Sequence, residues 1–242
     1  MSSSPGVTCS LFALWSNRAT LERLSEERFR RLAGELAATG AHEEVVALCA
    51  RAADDEHRHA ALCATMAASF ADPALPVDHG LLVEAPRDPA PAAGPPSRER
   101  VLLDMISLSC IGETFNAAYL TASLAVARDP ATRDATHELL RDEVVHARLG
   151  WAHLAAERQR GHDLAHLAAR LPKLLRDAFG EDLGALYDPP EAAPDFALLS
   201  RADRVALFAD TLRDVLLPGF EEVGVDTAPA RAWLALGPFA GR

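Results

Sequence analysis

Apolar and polar positions follow a helical period along most of the chain, and helix breakers divide this pattern into long segments. Gly40 ends the first segment, and the pair Asp129-Pro130 supplies a cap and a first-turn proline to the fourth. The predicted helices cover about residues 11–38, 41–71, 97–128 and 129–159. Residues 72–96 are rich in proline and predict a long connection. A short loop, a long crossover and a second short loop are typical of an antiparallel four-helix bundle.

The C-terminal third has the same helical character. The sequence predicts a fifth helix over about residues 163–179, a sixth from the cap Ser200 to the pair Leu217-Pro218, and a short last helix from Pro229. We therefore expect an all-α protein. Residues 1–161 would form the bundle, and residues 162–242 would be a helical extension packed on it.

Two of the predicted helices carry a Glu-Xaa-Xaa-His motif in the middle of an apolar stripe. Glu56 and His59 lie in the second helix, and Glu143 and His146 lie in the fourth. Positions three apart share one helix face, so each pair can reach one metal ion. One such motif is weak, but two on the second and fourth helices of a bundle are a specific signal.

The other two helices each supply one candidate glutamate. Glu113 is the single carboxylate in the apolar stripe of the third helix. In the first helix Glu22 lies on the apolar face, about as far before Gly40 as Glu56 lies beyond it, and antiparallel packing would place the two side by side. Glu26, at the margin of the face, is the second choice.

Four buried carboxylates need compensating charge, because an unpaired buried charge costs several kcal/mol. Two divalent cations would supply that charge. Oxygen-rich ligands with one imidazole per ion suit iron or manganese better than copper or zinc. The prediction is a pair of iron ions, with a mixed manganese and iron pair as the other option.

Composition restricts the partners. The net charge of −11 disfavours nucleic acid and anionic membranes. The first residues lack the pattern of a signal peptide, and no apolar run approaches the roughly 18–20 residues of a membrane span. The cysteines have no CxxC spacing. A cytoplasmic protein is expected, and a homodimer stays open. Five further histidines are expected at the surface or at helix ends, namely His57, His137, His153, His162 and His166.

The six-residue pattern over about residues 10–160 resembles the ferritin-like di-iron carboxylate superfamily. The first helix looks like that of rubrerythrins, whereas the wide gap from Glu56 to Glu113 looks like that of di-iron oxygenases. The resemblance implies that Glu56 and Glu143 bridge the ions, and that Glu22 and Glu113 each bind one ion.

The resemblance also implies outer-sphere roles. Asp55 and Asp142, which precede the two motifs, would accept the second N–H of a ligand histidine. Cys63 stands where ribonucleotide reductase small subunits carry a radical tyrosine, and Ala117 stands where hydrocarbon monooxygenases carry a threonine. Neither of those two functions is therefore expected.

The leading hypothesis is an oxidoreductase that activates O2 to oxidise a small organic substrate, with electrons from an external donor. The alternatives are a rubrerythrin-like peroxidase or ferroxidase, and a non-enzymatic metal-binding or iron-sensing bundle. An oxygenase would need an apolar cavity near Cys63, Ala117, Leu120 and Gly150. Gly150 would either open space beside the metals or permit close helix packing.

Overall fold

The protein is all-α, as the sequence predicts. The computed structural model describes residues 4–75, 82, 94–185 and 193–236. The helices are α1 (Pro5–Ala38), α2 (Glu43–Ser69), α3 (Arg98–Val126), α4 (Pro130–Gln159), α5 (Leu171–Ala185), α6 (201–222) and α7 (Ala228–Ala235). Short 3₁₀ turns lie at Ala165–Ala169 and Pro194–Phe196. Within the described ranges the sole β pairing is an isolated bridge between Ala193 and Leu198.

Local chemistry fixes the helix ends. The Asp129 carboxylate accepts the backbone N–H of Thr132 at 2.9 Å and caps α4. Gly40 has a φ of 73°, a left-handed conformation that suits glycine at the turn between α1 and α2. The helix α1 begins at Pro5 behind the cap Ser4, which is earlier than predicted. The Ser-Pro pair is itself a start signal, so the prediction placed this end too late.

The first four helices form the predicted bundle, and its interior separates into two apolar clusters. One cluster contains Phe29 and Leu36 of α1, Cys49 of α2 and Leu149 of α4. The other comprises Trp15, Ala19, Cys63, Met66, Ala67, Leu120, Ala135 and Leu139. The candidate ligands lie between these two clusters along each helix, so apolar side chains flank their layer on both sides.

The helix α3 contains a π-helical segment, Ile106–Glu113, in its middle. A π segment inserts extra residues per turn and often occurs at functional sites. Here it ends at the candidate ligand Glu113. Leu108, Ser109, Cys110 and Ile111 are all buried in it, so the segment contacts neighbours on several sides.

The C-terminal helices pack against α3 and α4. Phe115 of α3 stacks on Phe208 of α6 with ring centroids 3.2 Å apart, and Trp151 of α4 meets Phe220 edge-on. The prediction that the sixth helix ends near Pro218 is wrong. A π segment at Leu212–Leu216 precedes this proline and shifts the hydrogen-bond ladder, and the helix continues to residue 222. The division of the chain at residue 161 stays a prediction.

One helix among the described residues, Arg98–Val126, is long and apolar enough on average to cross a membrane. The protein itself buries 61% of the apolar window of this helix. A core helix of a bundle has the same properties, so the finding is weak support for a membrane span.

Candidate metal centre

All six side chains predicted from the sequence meet at the centre of the bundle. Glu22, Glu56, His59, Glu113, Glu143 and His146 are each at most 5% exposed. They form two groups, and within each group the possible ligand atoms lie within 4.8 Å of one another. The first group is Glu22, Glu56, His59 and Glu143, and the second is Glu56, Glu113, Glu143 and His146. Glu56 and Glu143 belong to both groups, which is the arrangement that two bridging carboxylates would have.

The imidazoles point their Nδ1 atoms into this site. His59 Nδ1 lies 3.3 Å from Glu56 Oε2 and 3.2 Å from Glu143 Oε1. His146 Nδ1 lies 3.0 Å from Glu56 Oε1 and 3.3 Å from Glu143 Oε2. The two rings are 5.8 Å apart between centroids. Each imidazole therefore lies close to both shared glutamates.

Several of these atoms are close to a partner and yet lack a hydrogen bond. Both carboxylate oxygens of Glu143, Oε1 of Glu56 and Nδ1 of His146 are buried without a hydrogen-bond partner. Polar atoms this deeply buried normally have a partner, because leaving one unpaired costs about 1–3 kcal/mol. Divalent metal ions bound at this point would give these oxygen and nitrogen atoms the partners that they lack. The residues present fit a pair of divalent cations.

Burial and mutual repulsion perturb the carboxylates. Burial, with the charge of Glu143 added, raises the pKa of Glu22, Glu56 and Glu113. Burial would raise the pKa of Glu143 as well, but close contacts with the two imidazoles lower it below its usual range. The four carboxylates thus cannot all ionise together without added positive charge.

In contrast to the three glutamates with raised pKa values, whose neutral form is favoured, the two imidazoles are shifted towards their charged form. Burial favours their neutral form, but the contacts with Glu143 outweigh it and raise the pKa of His59 to about 9 and that of His146 to about 10. Without a bound cation the surrounding glutamates therefore favour the protonated form of both rings. A bound metal ion would replace those protons.

The aspartates that precede the two motifs each contact the histidine of the opposite helix. His59 Nε2 lies 3.3 Å from Asp142 Oδ2, and His146 Nε2 lies 3.4 Å from Asp55 Oδ2. An acceptor at Nε2 holds the ring in place and leaves Nδ1 free to bind a cation. Arg58 joins the two aspartates, since it donates to Asp55 and, at 3.1 Å, to Asp142. The sequence analysis did not single out this arginine, although its position beside His59 in a run of charged residues was a usable signal.

Two other glutamates of α1, Glu26 and Glu35, lie outside the cluster. Glu26, the second choice, pairs with Arg30 at 2.7 Å and contacts His57 at 3.2 Å. Glu35 pairs with Arg100 at 2.7 Å. The structure therefore brings Glu22, and neither of these, to the other five side chains.

Gly150 provides close packing, and it does not border open space. A Cβ at this position would lie 2.6 Å from Cys110 Sγ and 2.9 Å from both Cys110 N and Ser109 Oγ. Ser109 Oγ accepts the backbone N–H of Gly150 at 2.7 Å and donates to the backbone oxygen of His146 at 2.5 Å. Of the two readings of Gly150, close helix packing is therefore the one that the contacts support, because the π segment of α3 occupies the space beside it.

His153 corrects another expectation. It is 3% exposed and buried on α4, so it is not a surface group. Burial lowers the pKa of its imidazole, so the ring stays neutral. Its position two turns beyond His146 places it on the inner face of the same helix, which the helical period could have shown.

Known proteins add a structural likeness. No family model matches the sequence, and no curated protein matches it. A solved structure from Synechococcus, described as protein 19 with aldehyde deformylating oxidase activity, superposes with a TM-score of 0.64. The two sequences are 17% identical, and the alignment covers 97% of this chain and 100% of that chain.

The fold is ferritin-like. At this identity the likeness extends to the fold alone, so the site rests on this chain's own residues. The buried carboxylate and histidine cluster could hold a metal ion.

Proposed function

We propose that the protein is a di-iron oxidoreductase that uses O2 to oxidise a small organic molecule. The observation that carries the proposal is the pair of ligand groups sharing Glu56 and Glu143 inside an apolar bundle. When bound, a reduced pair of iron ions would pass electrons to O2 and so supply the oxidising power. The activity of the Synechococcus protein, an oxidase on the same fold, supports this class of chemistry without naming the substrate here.

The chain's own residues would perform three tasks. The shared glutamates would hold both ions at one spacing, while Glu22 and Glu113 would each complete one ion's set of ligands. Asp55 and Asp142 would keep the imidazoles oriented. The two apolar clusters above and below the site would exclude bulk water, which protects a reactive centre from side reactions.

Iron is the preferred metal in this proposal, and a mixed manganese and iron pair is the alternative. Carboxylate-rich sites with a single imidazole per ion favour either metal over copper. Electrons would come from an external donor.

The proposal can be tested by loading the protein with ferrous iron under anaerobic conditions and then adding O2 or peroxide in separate rapid-mixing experiments. The account expects an optical change with O2 that requires the loaded site. It expects no such change in Glu56→Gln, and a normal change in the control Glu27→Gln, an exposed position on α1. Rapid peroxide consumption with no reaction towards O2 would favour the rubrerythrin-like peroxidase instead.

A further inference from the structure

A buried arginine lies one helical turn before Glu22. Arg18 is 6% exposed. Its guanidinium carbon lies 4.9 Å from the ring centroid of Tyr119 and 5.8 Å from that of Trp15. The side chain thus lies between α1 and α3, on the side of the metal centre formed by the apolar cluster of Trp15, Cys63 and Leu120.

Within the described ranges this guanidinium makes no ion pair and no hydrogen bond. Its close contacts are the two aromatic faces, and the charge of Glu22 interacts with it from a greater distance. A cation over an aromatic ring gains less free energy than the burial of an unpaired ion costs. Arginine carries five N–H donors in a planar fork that suits a carboxylate. An anionic acceptor is therefore missing from the immediate surroundings.

The neighbouring acid groups do not supply that acceptor. Glu22, one turn away on the same helix, is near enough for its charge to interact with Arg18, but the two side chains form no ion pair. With metals bound, the carboxylate of Glu22 would serve an ion. The four glutamates of the centre would then balance two divalent ions. The charge of Arg18 would remain uncompensated beside a neutral site.

We propose that Arg18 binds the carboxylate of an organic substrate and thereby fixes the substrate next to the ion held by Glu22. The inference rests on the proposed function and specifies its substrate class, an organic monocarboxylate with an apolar body. Trp15, Cys63 and Leu120, which are buried on this side of the centre, would be the apolar neighbours of that body. Tyr119 is held by its hydroxyl, which donates to the backbone oxygen of Ala197 at 3.2 Å, so the aromatic face under the guanidinium is fixed.

The test uses holoprotein loaded anaerobically with ferrous iron and two matched pairs of probes, benzoate with benzamide and butyrate with butyramide. Each pair has nearly the same shape and differs in charge. Calorimetry should show that wild-type protein binds each carboxylate at least about tenfold more tightly than its amide, because a charge-assisted hydrogen bond contributes that much.

Three variants separate the arginine from other causes of binding. Arg18→Gln should weaken carboxylate binding roughly 10- to 100-fold and leave amide binding and metal content unchanged. Arg18→Lys keeps the charge but loses the planar fork, so its carboxylate affinity should lie between those of the wild type and of Arg18→Gln. Arg23→Gln, an exposed position on the same helix, should bind like the wild type.

Two results would overturn the proposal. One is equal affinity of wild-type protein for acid and amide, which needs no variant to fold. The other is unchanged carboxylate affinity in Arg18→Gln or, should that variant not fold, in Arg18→Lys. Carboxylate binding that depends on Arg18 supports the inference even where O2 fails to react, so the inference and the proposed function can fail separately.

Discussion

The close contact of α3 with α4 at Gly150 makes a quantitative prediction. Gly150→Ala adds one methyl group, which would meet Cys110 Sγ at 2.6 Å and both Cys110 N and Ser109 Oγ at 2.9 Å. Two of these three atoms cannot move freely, since one is backbone and the other joins Ser109 to the backbone of His146. The helices must separate, or the hydrogen bonds of Ser109 must break.

The size of the effect follows from three contributions. Overpacking of a tight core contact costs about 1–3 kcal/mol. Loss of a Ser109 hydrogen bond adds about 1 kcal/mol. Alanine returns up to about 1 kcal/mol through its higher helix propensity. The net loss is roughly 1–3 kcal/mol, which corresponds to a fall in Tm of roughly 3–10 °C in a domain of this size.

Thermal and urea unfolding of wild type and variant measure this loss. Gly34→Ala is the matched control, because no atom lies within 4 Å of its added methyl group. It should keep or raise stability by up to about 1 kcal/mol. If Gly150→Ala were as stable as Gly34→Ala, the contact described here would not exist in solution.

Three other predictions concern the centre itself. Asp142→Asn should weaken metal binding roughly 10- to 100-fold in a competitive titration, because His59 loses its acceptor, while the exposed control Asp134→Asn should not. Elemental analysis should find less bound metal per chain in Glu22→Gln and an unchanged amount in Glu26→Gln. The reverse result would mean that the ligand of α1 lies one helical turn further along the chain. Metal loading at neutral pH should release protons, and affinity should fall as pH falls, because both site histidines and three of the glutamates have raised pKa values. Calorimetry in buffers of different ionisation enthalpy measures that release, and its absence would contradict the electrostatics described above.

Much of the centre was predictable because helix periodicity is a strong constraint. Once Glu56 and His59 lie on an apolar face, the position of Gly40 decides which residue of α1 lies beside them. The structure places Glu22 there. The cap Ser200 was likewise readable, and it begins a helix as predicted.

Other features depend on tertiary contacts that the sequence does not encode locally. The π segments of α3 and α6 arise from shifted hydrogen bonds, and no residue type specifies them. The role of Gly150 depends on how closely α3 approaches α4. The burial of Arg18 depends on two aromatic rings, one of them on a distant helix. A periodic pattern shows which face is inside, but it does not show how near the neighbouring helix lies.

The central claim is that two metal ions share Glu56 and Glu143. Crystals of the iron-loaded protein, measured on both sides of the iron absorption edge, would test it directly. The account predicts two anomalous peaks between these glutamates, one beside Glu22 and His59 and the other beside Glu113 and His146. A single peak, or peaks away from the two shared carboxylates, would contradict it.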